Sequence, residues 1–249
     1  MKILSIGNSF SEDAQRWLHD ISLCGNTEID TSNLYIGGCT LKTHYDNITE
    51  NKSAYEFQGN GNKYLKSTSI NAALSEENYD FITVQQSSGF SGIPQSYIPY
   101  LTEIVNYIKE KQPGAKIFFH KTWSYETDST HDHFAFYNCD QGEMTRRIAD
   151  CAEMVKKLAG LEILPVGDFI QYLRENTVEF DYAHGGISLC RDGFHLLETY
   201  GRFAAAAVWY KALTGEKVNG GLFVKDKPDF DPDLVAVITD NIERFYGNR

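Results

Sequence analysis

Ile3-Leu4-Ser5-Ile6-Gly7-Asn8-Ser9-Phe10-Ser11 is the stretch from which the rest of the chain can be read. Its apolar first half reads as a short buried strand over 2–7, ending in a turn at Gly7-Asn8. Beyond the turn, Trp17, Leu18, Ile21 and Leu23 put an apolar side on a helix over 12–24. Ser11 is the expected N-cap, with Glu12 and Asp13 in the first turn, where the helix dipole favours acids. A serine placed where a strand turns into a helix, as Ser9 is, has its hydroxyl exposed and backbone amides beside it. The same residues also read as nothing more than a capped turn, so any chemistry at Ser9 needs partners from elsewhere in the chain.

The strand-then-helix pattern repeats. Further strands are expected over 28–36, ending at Gly37-Gly38, over 80–84, over 115–120 after Pro113-Gly114, and over 161–165. Helices are expected through His44, at 97–110, at 141–159, and through the Ala204–Ala207 tract to about Leu213. Asn60-Gly61, flanked by Tyr55, Phe57, Tyr64 and Leu65, is a hairpin signal. Strands alternating with helices imply an α/β fold: one domain over 1–249, with a doubly wound, mainly parallel five-stranded sheet and helices on both faces. Ligands of such sheets bind beyond the carboxyl ends of the strands. Ser9, Gly38 and the Gln85-Gln86 pair all lie just past such ends.

The chain has 249 residues, 42% hydrophobic and 23% charged, the profile of a globular protein with a sizeable core. A net charge of −11 argues against a nucleic-acid backbone or an anionic membrane as partner and leaves neutral polar substrates open. Five dispersed cysteines with no CxxC pair read as free thiols in a reducing compartment. No run approaches the roughly 20 apolar residues of a membrane span. Met1-Lys2 leads straight into the first strand and leaves no room for a signal peptide. A cytoplasmic location is the expectation for the chain as written, and a periplasmic or secreted one if its natural start lies further upstream. Composition leaves the oligomeric state open.

Asp192-Gly193-Phe194-His195 places an acid three residues before a histidine, a spacing that lets the carboxylate orient the imidazole. With Ser9 these residues supply a nucleophile, a base and an orienter, the parts needed for acyl transfer. The stretch 122–140 leaves the fourth expected strand at the functional end of the sheet and mixes Trp123, Tyr125 and Tyr137 with polar groups. Aromatic faces beside hydrogen-bonding side chains suit carbohydrate, and these three residues, with Gln85, are the expected substrate contacts; a loop packed for structural reasons is the alternative. His131-Asp132-His133 with Asp128 lacks the spacing of a known metal site. Neither a metal nor an organic cofactor is expected.

The ordered set Ile6-Gly7-Asn8-Ser9-Phe10-Ser11, Gly37-Gly38-Cys39, Gln85-Gln86-Ser87-Ser88, Thr122-Trp123-Ser124-Tyr125 and Asp192-Gly193-Phe194-His195-Leu196 resembles the SGNH (GDSL-like) hydrolases. Within them the chain looks most like a bacterial branch long carried as a domain of unknown function. The resemblance implies a flavodoxin-like sheet and serine-dependent ester hydrolysis, with Ser9 as nucleophile, His195 as base and Asp192 as its orienter. It also implies an oxyanion hole built from the Ser9 and Gly38 amides. The family's third block normally supplies a further donor from an Asn; here that block reads Gln85-Gln86-Ser87-Ser88-Gly89, and Gln86 is the expected substitute. Asn8 stands where the namesake motif has Asp and is expected to brace the turn. The implied substrate is a short acyl ester, O-acetyl on carbohydrate foremost. A lipid-ester or thioester hydrolase, or a carbohydrate-binding protein with little turnover, are the alternatives.

Overall fold

A computed structural model describes residues 1–247. β1 (Lys2–Gly7) runs into α1 (Ser9–Gln15) and α2 (Leu18–Ser22), followed by β2 (Asp30–Tyr35) and α3 (Leu41–Thr49). A hairpin, β3 (Tyr55–Gly59) and β4 (Lys63–Thr68), leads to the short α4 (Ile70–Glu76). The alternation continues through β5 (Phe81–Val84), α5 (Tyr100–Lys111), β6 (Lys116–His120), α6 (Gln141–Ala159) and β7 (Glu162–Leu164). Helices α7 (Val166–Asn176), α8 (Tyr200–Thr214), α9 (Gly220–Phe223) and α10 (Pro232–Gly247) complete the described chain.

The sheet has seven strands in the order β4-β3-β2-β1-β5-β6-β7. Its five parallel members, β2, β1, β5, β6 and β7, are the five strands expected from sequence. The other two come from the Asn60-Gly61 hairpin, which joins the sheet instead of standing apart from it: β3 pairs antiparallel with β2, and β4 with β3. Side chains fasten it there. Asn60 Oδ1 accepts the Thr31 amide (2.7 Å) and Asn33 Nδ2 donates to Gln58 Oε1 (3.0 Å). The hairpin thereby covers the unpaired backbone of what would have been an edge strand.

Because successive strand residues face opposite ways, the two sides of the sheet fill separately. Ile3 and Phe118 pack with α1, α2, α7, α8 and α10; Leu4, Ile6, Ile82, Val84, Ile117 and Phe119 pack with α3, α4, α5 and the later half of α6. Helix α8 is buried from Phe203 to Tyr210, as a helix apolar on every side must be, with α1, α2, α7 and α10 against it. The sequence reading places no element over α7 or α10, although Phe169, Ile170 and Leu173, and Val235, Ile238 and Ile242, recur at helical spacing and are buried.

The helix expected over 12–24 is two helices, and the first starts earlier. Asn8, not Ser11, is the N-cap: its Oδ1 accepts the Phe10 amide (2.9 Å), while Ser11 Oγ accepts the Asn8 amide (3.1 Å) in a reciprocal capping box. The break falls at Arg16-Trp17, where the Trp17 indole N–H donates to the Glu198 carbonyl (2.8 Å).

Candidate active site

Chain order passes from β1 outward to β2 and then returns to β5 on the other side of β1, so the order in which strands are added reverses between the parallel β1 and β5, where ligands bind in folds of this kind. Ser9 sits at this switch point, one residue past the Asn8 cap. The turn tolerates only glycine at position 7, because a β-carbon there would lie 2.2 Å from Ser11 Oγ. Asn8 joins the turn to its neighbours: its Nδ2 donates to the Cys39 carbonyl (3.0 Å), and its Oδ1 also accepts from Gln85 Nε2 (2.7 Å). That bond draws the Gly37-Gly38-Cys39 loop beside Ser9. Gly38 is exposed and has φ +64°, a left-handed conformation that other residues adopt at a cost. Among the described residues, no protein acceptor takes the backbone N–H of Ser9 or of Gly38.

From the far end of the chain, the 192–195 turn brings its histidine to Ser9. Ser9 Oγ is 2.9 Å from His195 Nε2, and His195 Nδ1 is 2.7 Å from Asp192 Oδ2. A ring nitrogen facing a carboxylate is a donor, so Nδ1 carries the proton and Nε2 is left to accept from the serine hydroxyl. The other Asp192 oxygen accepts the backbone amides of His195 (2.7 Å) and Phe194 (3.2 Å). Partial burial pushes the Asp192 carboxyl up, but the bonds from the His195 ring and the two amides outweigh it and leave its pKa below the ordinary value. The carboxylate is therefore ionised when it holds the imidazole.

Several residues that sequence reasoning did not single out hold this turn in place. Asp13 in α1 has no exposed side-chain surface. Its carboxylate accepts the Leu196 amide (2.7 Å), Arg202 Nε (2.8 Å) and an Arg191 guanidinium nitrogen (3.2 Å). One buried acid thus ties the segment carrying His195 to the helix that begins at Ser9. In sequence Asp13 looks like any first-turn acid; only its burial and the two arginines, 178 and 189 residues away, mark it out.

The aromatic stretch has a different place from the one expected. Trp123, Tyr125 and Tyr137 are fully buried and do not face a substrate. Trp123 stacks on Phe10 (ring centroids 4.1 Å apart) and donates its indole N–H to the Phe194 carbonyl (2.7 Å). The Tyr125 hydroxyl bonds Ser88 Oγ (2.9 Å); that of Tyr137 donates to the Gly89 carbonyl (3.0 Å) and accepts the Gly92 amide (2.9 Å). Each large ring sits in the core with its one polar atom spent on a neighbouring segment, the usual terms on which Tyr and Trp are buried. The glutamines are likewise engaged. Gln86 Nε2 donates to the Ser96 carbonyl and hydroxyl (3.0 Å each) while its Oε1 accepts the Leu41 and Ser87 amides, so its side chain does not point at Ser9. Buried Gln85 bridges Asn8 and His120 (3.0 Å to His120 Nδ1) and offers nothing to a substrate.

His131, His133 and Asp128 do not gather as a ligand set. Among the described residues, the histidine and acids whose ligand atoms lie close together, within 4.8 Å of one another, are His19, Glu28 and Asp30. They sit where β2 begins, at the opposite end of the strands from Ser9.

Residues 2–243 match the model of a family described as "Domain of unknown function (DUF4886)". A crystal structure of a DUF4886 family protein from Bacteroides uniformis is 32% identical, covers 100% of this chain and 96% of its own, and superposes with a TM-score of 0.88. A candidate SGNH hydrolase from Slackia heliotrinireducens is 20% identical over 85% of this chain and 97% of its own, with a TM-score of 0.58. A variant of an acetyl-xylooligosaccharide esterase from a Geobacillus species is 11% identical over 86% and 93%, with a TM-score of 0.50. No curated protein matches the chain. The last two structures share its architecture, that of SGNH-type ester hydrolases. The family match and the 32%-identical relative lead to one conclusion: the chain belongs to the DUF4886 family, built on the SGNH-hydrolase fold.

Proposed function

We propose that this protein is a serine-dependent esterase that hydrolyses short acyl esters, with O-acetyl groups on carbohydrate as its substrate class and no metal or organic cofactor. The observation that carries the reading is the unbroken line from Ser9 Oγ through the His195 ring to the Asp192 carboxylate, at 2.9 and 2.7 Å. Ser9 Oγ attacks the ester carbonyl as its proton passes to His195 Nε2. Asp192 stabilises the imidazolium that forms. The carbonyl oxygen, now negative, takes hydrogen bonds from the free amides of Ser9 and Gly38. His195 then returns the proton to the departing alkoxide, leaving an acyl group on Ser9. Water, deprotonated by the same imidazole, attacks that ester and frees the acid.

Two points support the substrate class. The net charge of −11 disfavours anionic partners such as nucleic acid or a membrane surface and leaves neutral esters. A structural neighbour is an acetyl-xylooligosaccharide esterase. One observation favours a second reading, a carbohydrate-binding protein with weak turnover: neither glutamine of the third block donates toward Ser9, so the oxyanion hole rests on backbone alone.

The test is Ser9→Ala with p-nitrophenyl acetate as substrate and a fluorophosphonate as label. Turnover and labelling should both vanish, with the circular dichroism spectrum unchanged. A Ser9→Ala variant that turns over at the wild-type rate ends the esterase reading. A wild-type protein that neither labels nor hydrolyses, yet binds sugar, establishes the second.

A further inference from the structure

A row of partly exposed rings leads away from His195 over the surface. Phe194 lies against His195 (centroids 4.1 Å apart), His131 against Phe194 (4.7 Å), and His133 against His131 (5.1 Å). His133 in turn stacks on Phe136 (4.9 Å, 15° between planes) and meets the edge of Phe90 (5.0 Å). Phe136 is 45% exposed, and the other four rings are partly so. Phe90 also lines a pocket of about 390 Å³ with Ile93, Tyr100 and Thr40, a residue two positions past Gly38. Partly exposed rings in one continuous file that begins at His195 and ends at the exposed Phe136 mark a binding surface more than a packing accident.

The row is also held rigid from below. Tyr137, buried beneath it, bonds both Gly89 and Gly92 on either side of Phe90, and Arg147 donates to the Phe136 carbonyl (2.7 Å). A surface already fixed in its binding shape saves the cost of ordering it later. Its chemistry is mixed: two adjacent imidazoles, which carry hydrogen-bonding nitrogens, lie between the phenyl face of Phe194 at one end and those of Phe136 and Phe90 at the other. Burial, then the neighbouring His133, lowers the His131 pKa, so that ring is neutral at pH 7. Exposed Asp132 and Asp192 flank the row and disfavour an anionic ligand. A chain of pyranose rings presents apolar faces and hydroxyl edges together, which suits a row of phenyl faces with hydrogen-bonding imidazoles between them; an acyl chain would use only the phenyl rings.

We propose that Phe194, His131, His133, Phe136 and Phe90 form an extended binding surface for a neutral oligosaccharide, with the ester-bearing sugar over Ser9. The proposal deepens the esterase reading by naming a glycan chain, not a single sugar, as the part recognised.

The experiment is titration calorimetry of the full chain with unacetylated xylotetraose, cellotetraose and mannotetraose and with the matching monosaccharides. At least one tetrasaccharide should bind roughly tenfold or more tighter than its monosaccharide, and Phe136→Ala and His133→Ala should each weaken it several-fold, up to roughly tenfold. Phe136 is exposed, so its variant should melt like the wild type and remain interpretable. Binding that is unchanged in both variants, equal for monosaccharide and tetrasaccharide, or undetected for all three chains overturns the proposal. Since no ester is present, that failure is separate from the failure of the esterase reading, which Ser9→Ala turnover decides.

Discussion

Asp13 shows what a single side chain can do for a site it never touches. A carboxylate is buried without loss only when its hydrogen bonds are met, and Asp13 meets them with two guanidiniums and the Leu196 amide. Asp13→Asn takes the buried charge partner from both guanidiniums and leaves Arg191 with the exposed Glu198 (3.6 Å). The loss should be about 3 kcal/mol, the low end for a broken buried pair, because both arginines reach water at one side. Urea denaturation gives that figure. The ester turnover rate should fall with it, since the segment holding His195 loses its anchor. Gln86 separates the same two kinds of effect. An oxyanion donor, when lost, lowers kcat roughly 10²–10³-fold. Gln86 instead satisfies the amides of Leu41 and Ser87. Gln86→Ala should therefore lower the melting temperature while kcat for p-nitrophenyl acetate stays within about threefold, the buried amides it strands costing about 1–3 kcal/mol each. A kcat loss of a hundredfold without destabilisation would restore it to the oxyanion hole.

At the level of elements, the decisive unit is the β1–α1 turn, in which strand end, cap and serine are consecutive residues. Gly7 packs against Ser11, the reciprocal member of the capping box. Gly7→Ala cannot be absorbed by a small shift, because Ser11 Oγ is also bonded to the Asn8 carbonyl and to Asn33 Oδ1 (2.8 Å each). We expect the variant to lose the cap, worth about 0.5–2 kcal/mol, and to show a larger proportional loss of turnover than of stability as Ser9 moves from His195. Comparing the denaturation midpoint with kcat on the same preparation checks this. Equal activity in wild type and variant would mean that the turn adapts without moving the serine.

Across the whole molecule, stability should depend on pH through two histidines that take no part in the proposed proton transfer. His44, on α3, and His120, at the end of β6, are fully buried, and in each the Nε2 atom has no hydrogen-bond partner among the described residues. Burial lowers both pKa values from 6.5 to about 3. The unfolded chain therefore takes up protons between pH 6.5 and pH 3 that the folded chain refuses, and stability falls as pH drops through this window. The slope approaches about 1.4 kcal/mol per pH unit for each histidine. Urea midpoints at pH 7, 5.5 and 4.5 should decline, and His44→Gln should reduce the slope. A midpoint constant over that range would show that other groups cancel the two imidazoles.

What could be read from sequence was local in origin. The five parallel strands are short apolar runs with turn residues at their ends. Ser9 and Gly38 follow directly from two of those ends, and the Asp192–His195 contact is set by a three-residue spacing within one turn. Such features need only neighbouring residues to declare themselves. Tertiary structure decided the rest, because burial and the choice of hydrogen-bond partner depend on residues distant in sequence. Trp123, Tyr125 and Tyr137 look like a binding surface in a polar loop, and only the packing of Phe10, Phe194 and the 88–92 segment against them shows that they are core. Gln85 and Gln86 are equal as sequence, yet one faces Asn8 and the other Ser96. The Asn60-Gly61 hairpin is visible as a hairpin, but its place at the edge of the main sheet depends on β2 offering an unpaired side. Side-chain chemistry and short spacings are written in the chain itself, whereas which groups lose contact with water is settled only when its distant parts pack together.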